Sequence, residues 1–315
     1  MYKDKRVLLI GGGGTLGRYT SAELLNKGCK VDVICLEDYV SDNEKLCYFK
    51  ANADLEYLTD FLSDRYYDGI VNFVHYPVAE QYKPVHMLLT SKTDQLIFLS
   101  SYRVYADLQH PITETAPQLF DVSDDKEFLE TEDYSVSKSK CEHYIREESG
   151  TDNWTIVRPV ISFSERRFDI IYPQSADSIK KHIAENSPII LPKDAKNLTA
   201  GLDWSGNSGR LIANLLFKEK ALGEAFTVST AQNYTWGEVA DMYTDICGVK
   251  FNWVTLGEYL DANPYLKTGG RWTVKYDRLY DRKIDNSKIL SVTGLKKDSF
   301  KTVKEGIKIE LSKIL

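Results

Sequence analysis

The chain has 315 residues, enough to bury one large or two modest cores, and its 27% charged and 43% hydrophobic make-up is ordinary for a globular protein. A net charge of −6 argues against a nucleic-acid partner, because a phosphate backbone demands a dense basic surface. No stretch has the apolar length of a membrane span, and five scattered cysteines without CxxC spacing predict reduced thiols and no metal site. Residues 1–5 run straight into the first predicted strand, so the reading is of a cytoplasmic chain with no secretion signal.

The first predicted strand covers 6–10, where Val7, Leu8, Leu9 and Ile10 read as buried on both faces of a parallel sheet. Gly11, Gly12, Gly13 and Gly14 follow, then Thr15, Leu16 and Gly17, with a helix expected over 16–27 and Gly28 as its stop. Glycine suits both a sharp turn and the close approach of a phosphate to the backbone. Strand, glycine turn and helix start therefore form an anion site suited to a dinucleotide diphosphate. Further strands are expected over 31–35, 46–49, 69–75, 95–99 and 155–158, alternating with helices over 55–65, 79–91 and 134–148. That alternation predicts an α/β fold, a doubly wound parallel (Rossmann) sheet over residues 1–160.

After Pro159 the segments shorten and prolines appear at Pro173, Pro188 and Pro192. Helices are expected over 178–185, 208–217, 235–247, 256–263 and 302–312, with brief strands over 189–191, 225–228 and 251–254. Residues 161–315 read as a smaller α/β lobe that supplies substrate contacts, with some segments returning to the first lobe. The acidic stretch 121–133 reads as a solvated loop.

Two clusters carry chemistry. Tyr134 and Lys138 are spaced YxxxK, which places both on one face of a helix. An ammonium beside a phenol favours the phenolate, and such a tyrosine can exchange a proton with a carbinol while hydride moves to or from nicotinamide. Ser100 and Ser101 end the fifth strand, where parallel sheets bind ligands, and a hydroxyl there can donate to the reacting oxygen.

With glycine turn, strand-end serine and YxxxK in this order, the chain resembles the extended short-chain dehydrogenase/reductase family, in its NAD-dependent epimerase/dehydratase branch. The resemblance runs through nearly the whole chain and includes the late segment of Asp285, Asn286, Ser287, Lys288 and Gly294. It implies catalytic roles for Ser101, Tyr134 and Lys138, with Lys138 also on the nicotinamide ribose. It implies a diphosphate loop at Gly11, Gly14 and Gly17, an adenine-reading pair at Asp54 and Leu55, and a turn along the nicotinamide at Arg158 and Pro159. Homodimerisation is a family expectation.

Departures narrow the activity. The ribose-reading acid of the family falls at Cys35, with Glu37 just beyond as the substitute. No basic residue closely follows the second strand, Arg18 beside Gly17 apart, so the expected cofactor is NAD, with NADP less favoured. Dehydratases of the family carry Asp-Glu where this chain has Tyr102 and Arg103, and an arginine stays protonated and cannot serve as a base. Epimerisation through a transient ketone, or reduction of a keto-sugar, is what remains. The family's Asn after the Arg-Pro turn is missing from residues 160–163. Ser101 and Tyr102 are candidate substrate contacts, and Arg271, Arg278 and Arg282, in a segment rich in Trp and Tyr, are the candidate contacts to a sugar nucleotide. His75 is a candidate second proton carrier with a structural role as its simpler explanation. The competing expectation is a nucleotide- or RNA-binding protein that has lost redox chemistry on the same frame.

Overall fold

A computed structural model describes residues 2–315. In the first half the elements are β1 (Arg6–Ile10), α1 (Thr15–Asn26), β2 (Lys30–Cys35), β3 (Leu46–Lys50), α2 (Leu55–Phe61), β4 (Gly69–Asn72), α3 (Tyr82–Thr90), β5 (Leu96–Leu99), α4 (Leu119–Val122), α5 (Lys126–Leu129), α6 (Tyr134–His143) and β6 (Trp154–Pro159). The second half adds β7 (Ile161–Phe163), β8 (Phe168–Ile170), β9 (Tyr172–Gln174), α7 (Ala176–Ala184), β10 (Ile189–Pro192), β11 (Leu202–Trp204), α8 (Ser205–Leu215), β12 (Glu224–Val228), α9 (Trp236–Cys247), β13 (Phe251–Val254), α10 (Leu256–Ala262), α11 (Arg271–Thr273), α12 (Ser287–Thr293) and α13 (Val303–Leu311).

Seven strands form one parallel sheet in the order β12-β6-β5-β4-β1-β2-β3. Its inner strands are continuous apolar runs because helices cover both faces; Val7, Leu8, Leu9 and Ile10 are all fully buried. The strand order reverses at β1, so a crevice opens beyond the carboxyl ends of β1 and β4. The seventh strand, β12, comes from the second half of the chain and pairs with β6. Helix α8 crosses α1 closely: a Cβ on Gly209 would stand 2.7 Å from the Thr20 nitrogen, so a glycine is required there. The rest of the second half forms two-stranded sheets, β10 with β13, β7 with β11, and β8 with β9.

Two expectations change, and four short strands were not expected. The strand expected over 69–75 stops at Asn72, whose side-chain oxygen accepts from the Val74 nitrogen at 3.1 Å and turns the chain. The stretch 121–133 is not a plain solvated loop. Asp125 caps α5 by accepting from the Phe128 nitrogen, and Phe128 is fully buried against Trp272 and Tyr276. The three-residue strands β7, β8, β9 and β11 are too short to leave a periodic signal.

Candidate active site

The crevice at the strand-order reversal holds a cavity of about 510 Å³. Its first wall is backbone. Gly11 has φ of +72°, and a Cβ there would meet Val74 Cγ2 at 3.2 Å. A Cβ on Gly17 would stand 2.3 Å from the Gly12 carbonyl oxygen, so the first turn of α1 lies directly on the glycine loop. Gly14 precedes α1 with no side-chain cap, and the space where its Cβ would point is open. The N–H groups of that first turn therefore have no side-chain acceptor and lie where an anion can reach them.

Deeper in the cleft, Ser101 follows β5 by two residues and caps a short turn, its Oγ accepting from the Arg103 nitrogen at 3.2 Å. Tyr134 opens α6, which Asp133 caps by accepting from the Ser135 nitrogen at 2.9 Å. Glu142 of the same helix accepts from Ser100 and from Arg158 of β6, pinning α6 to two central strands beneath the site. Lys138 lies one helical turn beyond Tyr134 and is buried. Its Nζ donates to the Leu99 carbonyl at 2.6 Å and stands 5.6 Å from the Tyr134 ring centre. Burial lowers its pKa to about 8.

Burial also raises the Tyr134 phenol above its ordinary value, against the opposing pull of Arg103, the Ser101 hydroxyl and Arg167. The His75 ring packs 4.8 Å from the phenol ring, and burial lowers its pKa to about 4, which leaves it neutral at pH 7.

Of the residues selected from sequence, Gly11, Gly14, Thr15, Leu16, Gly17, Ser101, Tyr102, Tyr134, Pro159 and Arg278 line this one cavity. Lys138 stands behind Tyr134. Glu37 lies outside the cavity lining but beside the glycine turn, where its Oε2 would be 2.6 Å from a Cβ on Gly13. The Asp54 carboxylate caps α2 through the Tyr57 nitrogen at 2.9 Å, with Leu55 as the helix's first residue, and neither lines the cavity.

Arg271 is a correction. It pairs with Glu127 at 2.6 Å on the outside of the molecule, because its helix presents Trp272 inward instead. Arg282 is buried, donating to the carbonyls of Tyr105 and Tyr276 at 2.9 Å each, and does not line the cavity.

Sequence reasoning missed Asp277 and Arg167, which line the second wall, and saw in Arg103 only a lost base. Asp277 is buried and accepts from Tyr102 and Arg278. Burial alone would raise its carboxyl, but Arg278, Arg103 and Arg282 together hold it below the usual carboxylate range. Asp169, also fully buried, accepts from Arg167 at 2.7 Å and from Arg278 at 3.4 Å. One signal was available: arginines at 278 and 282 could be buried only with a carboxylate, and Asp277 is adjacent.

A family model, the NAD dependent epimerase/dehydratase family, matches residues 7–204, more than half of the chain. The protein belongs to that family. No curated protein matches the sequence. Among solved structures it is similar to the epimerase Mth375 of Methanothermobacter thermautotrophicus, with a TM-score of 0.74, 15% identity, and coverage of 99% of this chain and 92% of that one. It is also similar to WbmG of Bordetella bronchiseptica in complex with NAD (TM-score 0.71, 16% identity, 98% and 94% covered). A third is the UDP-N-acetylglucosamine 4-epimerase of Methanobrevibacter ruminantium M1 in complex with UDP-N-acetylmuramic acid (TM-score 0.67, 17% identity, 98% and 96% covered). At these identities the likeness establishes the fold.

Proposed function

We propose that this protein is an NAD-dependent epimerase or ketoreductase acting on a sugar or nucleotide sugar. The observation that carries the reading is that Ser101, Tyr134 and the glycine turn line one cavity, with Lys138 packed behind the phenol. The residues fit the cofactor: the open space at Gly14 and the uncapped start of α1 suit a diphosphate, and the Glu37 carboxylate beside Gly13 suits ribose hydroxyls. When bound, the nicotinamide would take hydride from the carbinol carbon and return it.

The chain's own groups do the proton work. Tyr134 takes the hydroxyl proton of the substrate as hydride leaves, and returns it when the ketone is reduced. Ser101 donates a hydrogen bond to the same oxygen, where charge builds in the transition state. Arg278 and Tyr102 face the substrate from the second wall. With Tyr102 and Arg103 in place of an Asp-Glu pair, no carboxylate stands ready for water elimination after Ser101. The non-catalytic alternative draws no support from a cleft that keeps all three reacting groups.

The test is a screen of nucleotide sugars with NAD-loaded protein, and of keto-sugars with NADH supplied. Inverted configuration at constant cofactor redox state would support epimerisation, and net NADH consumption would support reduction. No change in any sugar, or turnover that survives Tyr134→Phe, would refute the reading.

A further inference from the structure

The ribose edge of the proposed cofactor site carries a cation that the segment after β2 does not supply. It comes from the second lobe. A turn over residues 164–167 follows β7, closed by two backbone hydrogen bonds of 3.0 Å between Ser164 and Arg167. Three of its four residues reach the start of α1 and the glycine turn. Ser164 Oγ lies 3.2 Å from Thr15 Oγ1, Glu165 pairs with Arg18 at 3.0 Å, and Arg166 Nη1 donates to the Gly13 carbonyl at 3.2 Å. The fourth, Arg167, lines the cavity and pairs with Asp169.

Arg166 makes two further contacts, both to the segment after β2. Nη2 donates to the Tyr39 hydroxyl, and Nη1 stands 3.8 Å from Oε1 of Glu37. One guanidinium thus spans the two pieces of the first lobe that the ribose of a bound dinucleotide has to touch together, the glycine turn and the acid beyond the second strand.

The Glu37 side chain is 44% exposed, and among the described residues Arg166 is the cation within 4 Å of it. Lys50, at the end of β3, is taken by Asp38. A carboxylate so exposed samples several rotamers, and a ligand that uses it must freeze one of them. A guanidinium fastened to Gly13 and Tyr39 narrows that choice before the ligand arrives.

We propose that Arg166, supplied by the second lobe, is a cofactor-positioning residue that holds Glu37 and the glycine turn in the arrangement that receives the adenosine ribose. This rests on the reading of the glycine turn and Glu37 as the NAD site. The effect lies in affinity more than in folding, because an ion pair this long and this exposed adds little to stability. A turn that only fastened the lobes together would show the opposite pattern: Arg166 would change melting and leave NAD affinity alone.

Titration calorimetry with NAD on wild type, Arg166→Met, Glu37→Gln and the double variant tests this. Arg166→Met should raise the NAD dissociation constant about three- to tenfold. Glu37→Gln should weaken binding by a similar factor, and the double variant should fall closer to the weaker single variant than to the product of the two factors. Factors that multiply in the double variant would overturn the proposal, since independent residues add in free energy. So would an Arg166→Met protein that binds NAD as the wild type does, whatever its melting temperature. If circular dichroism finds Arg166→Met unfolded, Tyr39→Phe removes only the hydroxyl that steadies the guanidinium. A rise of about twofold or more in its dissociation constant then supports the proposal, and a smaller change contradicts it. Wild-type protein that takes up no NAD would instead remove the reading of the cofactor site, and the positioning role with it.

Discussion

One wall of the cleft is backbone and the other is side chain. On the first, Gly11, Gly14 and Gly17 bring the start of α1 against the end of β1, with Glu37 and Arg166 beside Gly13 at the outer edge of that turn. On the second, Tyr102, Arg103, Asp277 and Arg278 form a network of buried charges and hydrogen bonds that reaches Asp169 and Arg282. The first wall is fixed by covalent geometry: only glycine fits where a Cβ would strike a carbonyl oxygen at 2.3 Å. The second is held by charge balance, so removing one member leaves the others buried and unpaired.

The comparison can be broken at the second wall first. Asp277→Ala strands Arg278, Arg103 and Arg282 without their shared carboxylate, and should cost about 3–5 kcal/mol in chemical denaturation. A loss under about 1 kcal/mol would mean that water already compensates those charges.

Next in size is Tyr134→Phe, which stands between the walls. It should lower turnover about a thousandfold, ~4 kcal/mol in the barrier, with NAD affinity measured by calorimetry unchanged.

A smaller effect comes from Lys138. Burial lowers its folded pKa to about 8 from the ordinary lysine value of 10.5. Between those values the unfolded chain binds the extra proton, so this group makes stability rise with pH from 8 to 10.5, and the gain is lost as pH falls through 8. The contribution is about 3 kcal/mol, and the difference between wild type and Lys138→Met across that window measures it. A constant difference would contradict the assigned burial.

The smallest stability effect should fall on the first wall. Gly17→Ala forces backbone apart and should cost about 1–3 kcal/mol, with a loss of dinucleotide affinity out of proportion to that figure. Unchanged NAD binding in that variant would sharpen the contrast in the opposite sense, by freeing the diphosphate from the glycine turn.

The same contrast explains what was legible in the sequence. The order of β1 to β6 and the glycine turn could be read because local residues alone decide them: aliphatic runs for buried parallel strands, glycines for the turn. Ser101 and Tyr134 were legible because each sits at a fixed place, a strand end and a helix start. The second wall was legible only at Tyr102 and Arg278; Asp277 and Asp169 were not, since the segments that carry residues 102, 169 and 277 are far apart in sequence and meet only after folding. Arg271 and Arg278 are alike as letters in the same segment, yet one pairs with Glu127 outside and the other lines the cleft. Periodicity could not separate them, because α11 is three residues long and runs into a π-helical turn over Val274–Arg278. The strands β7 and β11 escaped notice for the same reason, and they carry the chain across to the second wall.

The claim on which the account turns is that the Tyr134 phenol faces a nicotinamide whose diphosphate rests on the glycine turn. A crystal structure of the protein with NAD bound measures this directly. The account predicts the diphosphate on the N–H groups after Gly14 and the reactive carbon of the nicotinamide on the cavity side of Ser101 and Tyr134, one substrate atom away from the phenol oxygen. A nicotinamide bound outside the cavity, or a phenol turned away from it, would contradict the account.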